Sequence, residues 1–159
     1  MANQVKQVFS DTTTTVISLA ASLANAANTY TGMTGLTNTQ LDNSTELYTD
    51  AIAVLGVPET FAAAPTAGAT INLYYVLADI DGTSDETPEP GATDITSLAT
   101  YAGSWVVDNQ DVAYIKPIVI SLLGVRKARF FIGNQTGQAT SYTSTPLTVK
   151  ITPFTVGPT

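Results

Sequence analysis

The chain has 159 residues, a net charge of −7, no cysteine and no histidine. Those absences exclude disulfide frameworks, thiolate chemistry, Cys/His zinc sites and every triad built on an imidazole base. The acidic balance argues against a nucleic-acid groove and against docking to anionic lipid, both of which need dense basic surface. Only 12% of the residues are charged, while threonine alone supplies 27. Threonine is β-branched and half-polar, which suits strands with one wet face, so the composition predicts an all-β protein.

Along the chain, residues 1–9 (MANQVKQVF) read as an extended arm or edge strand. Val5, Val8 and Phe9 are its candidate interface residues, placed to pair with a neighbour by strand addition. Residues 16–20 (VISLA) give the first firm strand, and a helix over 19–27 competes because Ala and Leu favour helices. The apolar stretch 16–27 is interrupted by Ser18, Ser22 and Asn25 and follows Asp11, so it does not read as a signal peptide. Residues 28–38 are turns. Residues 46–57 (ELYTDAIAVLGV) read as a buried strand stopped by Gly56 and Pro58, and 59–68 as a loop. Residues 69–78 (ATINLYYVLA) form the clearest strand, with Ile71, Leu73, Tyr75 and Leu77 on one face.

The stretch 78–86 (ADIDGTSDE) holds the sharpest chemical candidates. Asp79, Asp81 and Asp85 are hard-oxygen groups of the kind calcium takes. An EF-hand loop beginning at Asp79 would need glycine sixth, whereas Gly82 is fourth. The favoured reading is a strand ending in an Asp-Gly turn that opens a long polar loop over 79–94. A glycosidase-type carboxylate pair drawn from these acids has no second feature behind it. No catalytic residue, cofactor or metal is therefore expected.

Residues 101–107 read as a strand. Residues 112–123 (VAYIKPIVISLL) are apolar around Pro117, which requires a bend or an edge position. Residues 126–133 (RKARFFIG) carry three of the six basic side chains. Strand alternation turns Ala128, Phe130 and Ile132 inward and Lys127, Arg129 and Phe131 outward. The outward set is either an interface with an aromatic anchor or an edge guarded by cations. Asn43 and Asn134 head N-x-S/T sequences but are not expected to be glycosylated. Residues 147–153 alternate, with Leu147, Val149 and Ile151 inward. About seven to nine strands with no βαβ alternation predict an antiparallel β-sandwich, jelly-roll-like, with long loops. The expected organisation is an arm over 1–15 and one sandwich domain over 16–159.

Several stretches together resemble small β-rich virion structural proteins of tailed bacteriophages. They run in order: LAASLA at 19–24, LDNSTELYTD at 41–50, PTAG at 65–68, INLYYV at 71–76, DGT at 81–83 and FIGNQTG at 131–137. The resemblance implies a non-enzymatic subunit, a capsid decoration (cement) protein that binds the major capsid protein on the outer shell. It implies synthesis in the host cytoplasm and location on the virion. Self-association is expected, and a trimer would match threefold capsid sites by analogy. The alternative is a tail or fibre component that binds host-surface carbohydrate, with Trp105 or Tyr142 as sugar platforms.

Overall fold

A computed structural model describes residues 5–58, 61–78, 99–108, 113–140 and 144–158. Its ten strands are β1 (Val5–Phe9), β2 (Thr14–Leu19), β3 (Leu36–Asn38), β4 (Leu41–Asp42), β5 (Asp50–Val57), β6 (Thr70–Leu77), β7 (Thr100–Val106), β8 (Tyr114–Ser121), β9 (Lys127–Gln135) and β10 (Leu147–Pro158). They form two antiparallel sheets, ordered β3-β2-β10-β5-β8 and β4-β9-β6-β7, with β1 added to β10. The pairs β2·β10, β4·β9, β5·β8 and β6·β7 are nested, as if one long hairpin had been rolled up. That nesting is the jelly roll, and the all-β sandwich expected from composition and alternation is the fold.

Alternation explains most of the core. On β5, Ala51, Ala53, Leu55 and Val57 are buried while the residues between them are half-buried. Leu147, Val149 and Ile151 of β10 meet them from the same sheet, and Ile71, Leu73, Phe130 and Ile132 from the other. Tyr75 and Leu77 pack against this core too, so the expected inner face of β6 holds. Two bulges break the rule usefully. Lys150 pairs with Thr15 and Val149 with Ile17, so Val16 is an extra residue and both Val16 and Ile17 enter the core. On β7, Gly103 pairs with Leu73 and Tyr101 with Tyr74, which leaves Ala102 as the extra residue.

The competing helix over 19–27 does not form: β2 ends at Leu19 and a loop follows. Its backbone is held by β9 and the 134–140 turn, which offer fixed partners that a short isolated helix would lack. The strand expected over 46–57 begins only at Asp50, because Leu47 takes a left-handed φ of 52° and turns the chain. Pro117 lies on β8, the terminal strand of the larger sheet, as its missing N–H requires.

Candidate interaction surfaces

The two ends of the sandwich differ. At one end a buried Asn134 ties the loop after β2 to the turn after β9. Its Nδ2 donates to the carbonyls of Leu23 (2.9 Å), Ala24 (3.2 Å) and Gln138 (2.8 Å). Its Oδ1 accepts from the Thr136 amide (3.1 Å) and hydroxyl (2.7 Å). Thr140 closes the same junction, its hydroxyl accepting from the Leu23 amide at 2.9 Å. The close approach of Asn28 depends on Gly133, where a Cβ would lie 2.7 Å from Asn28 Oδ1. The Asn134 junction itself is polar, and its side chain is fully hydrogen-bonded within the chain.

The opposite end carries the turns 43–49 and 122–126. Asn43 is the anchor here: its Nδ2 donates to the carbonyls of Tyr48 and Val125, both at 2.9 Å, and its Oδ1 accepts from the Tyr48 amide at 2.9 Å. Asn43 and Asn134 are thus both buried turn anchors, which accounts for glycosylation being out of reach at either sequence. Above Asn43 the chain exposes Leu47 (56%) and Leu123 (77%), which flank a groove of about 220 Å3 that also includes Tyr48, Leu122 and Arg126. Leu47 combines exposure with a positive φ, an arrangement that costs a side-chain-bearing residue roughly 1 kcal/mol. Nearby, Asp42 accepts from the Ser44 hydroxyl (2.6 Å) and amide (2.9 Å) and lies 3.6 Å from Lys127 Nζ. The Ser44 hydrogen bonds first, and the Lys127 charge after them, lower the Asp42 carboxyl pKa.

A ribbon of β1 and the end of β10 leaves the sandwich beside this rim. Asp50 pairs with Phe154, the last contact of β5 with β10, and Val5 pairs with Pro158 beyond it. The ribbon's side chains are exposed at Val8, Phe9 and Val156, and the Phe9 ring lies 5.2 Å from the ring of Phe154. A two-stranded ribbon is marginal in water without a partner.

The outer face of the larger sheet is divided. Over β2 and β10 it is polar: Thr15, Thr148 and Lys150 point out, and the Thr13 and Thr152 hydroxyls are 2.7 Å apart. Over β5 and β8 it is apolar: Ile52 and Val54 lie beside Pro117, Val119 (67% exposed) and Ile115 (76% exposed). A groove of about 490 Å3 ends this stripe, lined by Gly56, Val57, Pro58, Ala113, Ile115 and Pro146 among others. Contiguous exposed apolar area of this kind marks interaction sites.

The expected site residues are placed as follows. Val5, Val8 and Phe9 lie on β1, paired with the chain's own β10; the Val5 side chain is outside the described residues. Lys127 and Arg129 lie on β9, half-buried, beside the β4 side of the smaller sheet. Phe131 is corrected: it points away from the main core as alternation requires, but it is fully buried, packed with Tyr74 and Val76 in a second cluster. It is not an exposed anchor, because apolar neighbours cover both faces of β6 and β9 at that level. Trp105 is buried in the main core and offers no sugar platform, while Tyr142 lies outside the described residues. Asp79, Asp81 and Asp85, with the 79–94 loop, also lie outside them. Among the described residues no group of three or more acidic side chains is placed to hold a metal ion. Sequence reading missed the rim, since nothing in Glu46-Leu47-Tyr48 announces a left-handed leucine. No protein-family model matches the chain, and no curated protein matches it by sequence.

Proposed function

We propose that the chain is a non-enzymatic structural subunit of a tailed-bacteriophage virion, acting as a capsid decoration protein on the outer shell. The reading rests on the ordered sequence resemblance, and the observation that carries it is the rim. An exposed Leu47 beside an exposed Leu123 is apolar surface that this chain's own core does not use, and it suits a protein partner. The major capsid protein is that partner, met by the two leucines with Arg126 at their margin. The far end, closed by Asn134, faces away from the shell. Jelly rolls recur in viral capsid proteins, which supports the reading by analogy only. The subunit stabilises the shell because it binds the assembled lattice and not the dispersed subunits.

The test is the number of copies of this chain per purified virion, by quantitative mass spectrometry against the major capsid protein. A count in the hundreds, in simple ratio to capsid subunits, is expected for one copy per lattice site. A count of a few to some dozens would move the chain to the tail or fibres, and absence from virions would overturn the reading.

A further inference from the structure

We propose that the outer face of the larger sheet docks a second copy of this chain about a two-fold axis. The register supplies the argument. Across β10, β5 and β8 the outward side chains form rows: Thr152–Ile52–Val119 in the middle, Lys150–Val54–Pro117 on one side, Phe154–Asp50–Ser121 on the other. One row further on lie Thr148–Gly56–Ile115 at the groove end and Val156 at the ribbon end. A two-fold axis lying across the strands through the middle row exchanges the two sides. It sets Val119 over Val119 and brings Lys150 of each copy beside Asp50 of the other. It also carries Val156 at the end of β10 in each copy over Thr148 at the margin of the other's groove of about 490 Å3.

Two features select a second copy over an unrelated partner. The cation and the anion stand one row either side of the same axis, so the face complements itself and not a uniformly charged surface. Pro117 on the terminal strand removes a backbone donor, which disfavours edge-to-edge addition and leaves the face as the contact. Area decides how much each part matters. Four strands about 4.8 Å apart and eight residues long cover roughly 500 Å2. A stable interface buries about 800 Å2 per partner, so a face of this size gives a weak dimer, formed only at micromolar concentrations. The resulting dimer presents its two Leu47 rims at opposite ends. The inference does not depend on the chain being a capsid protein.

Sedimentation velocity of the purified chain from about 1 to 100 μM tests it, with dimer expected in the upper part of that range. V119D places two carboxylates face to face on the axis and should weaken dimerisation by about 100-fold or more. Val119 is two-thirds exposed, so the variant's melting curve should match the parent at concentrations where both are monomeric. K150D should weaken the dimer about tenfold, and adding D50K to it should restore most of that loss, which a merely structural role for either residue would not do. A parent chain that is monomeric throughout, or trimeric, would overturn the proposal. So would a V119D dimer as tight as the parent's, or a D50K/K150D pair no better than K150D alone.

Discussion

At the scale of single residues, the two buried asparagines carry more of the structure than their chemistry suggests. Asn134 is fully buried and makes five side-chain hydrogen bonds to groups on two segments, 23–24 and 136–138. Each such bond contributes about 1 kcal/mol net, and each buried group left unpaired costs about 1–3 kcal/mol. N134A should therefore lower unfolding free energy by roughly 3 kcal/mol in a urea titration. A loss under about 1 kcal/mol would mean that water replaces the side chain, and the hub would lose its importance. Asp42 acts on a smaller scale and with a definite sign. Its folded-state pKa is held below the ordinary value near 3.8, so its contribution is present above that value. It is lost as the pH falls through the folded-state pKa. Over half of the Asp42 side chain is exposed, which keeps the effect small. D42N should sit slightly below the parent at neutral pH and merge with it in acid, as followed by melting temperature from neutral pH down to about pH 2.5. Curves that stay parallel into acid would remove Asp42 from the pH dependence.

At the scale of elements, the strands were legible where alternation was clean and obscure where a turn or bulge interrupted it. The periodicities of 69–78 and 147–153 give β6 and β10, and the sides of both are right. By contrast β3 and β4 are three and two residues long, too short for any period to register. The side of Phe131 follows from alternation, but its burial depends on what covers the outer face of its sheet, which one strand cannot reveal. The rim was illegible for a related reason. A leucine at positive φ is set by the Asn43 hydrogen bonds around it and not by its own preference. The β2–β3 connection illustrates the opposite case, where the residue type announces the geometry. Gly35 has a φ of 79°, and a Cβ there would lie 2.8 Å from the backbone oxygen of Ala20. Backbone cannot yield as a side chain can, so G35A should cost about 2 kcal/mol, from the left-handed conformation plus the clash. G32A has the same φ and open space around its Cβ, and should cost only about 1 kcal/mol. Equal losses at the two sites, measured by urea unfolding, would mean that the 20–35 contact relaxes freely.

At the scale of the whole molecule, the jelly roll sets the polar Asn134 junction and the apolar rim at opposite ends, and the outer face of its larger sheet carries a self-complementary pattern. If the rim meets a capsid shell, the gain belongs to the assembled lattice. Binding to that state alone raises its stability by about 2.7 kcal/mol per site when the free protein stands at 100 times its dissociation constant. Shells assembled without this chain should therefore melt at a higher temperature as purified protein is added, with a shift that saturates when the sites are full. L47D keeps the exposed position but puts a charge where an apolar contact is needed, so it should abolish the shift. Because Leu47 is over half exposed, the variant's own unfolding should change little, which separates lost binding from lost folding. V119D offers the contrasting result. It leaves the rim intact but prevents pairing, so it should bind shells about as tightly as the parent, because the dimer's rims point to opposite ends and only one can meet a shell. Were V119D to lose shell binding entirely while L47D kept it, the assignments of the two surfaces would have to be exchanged.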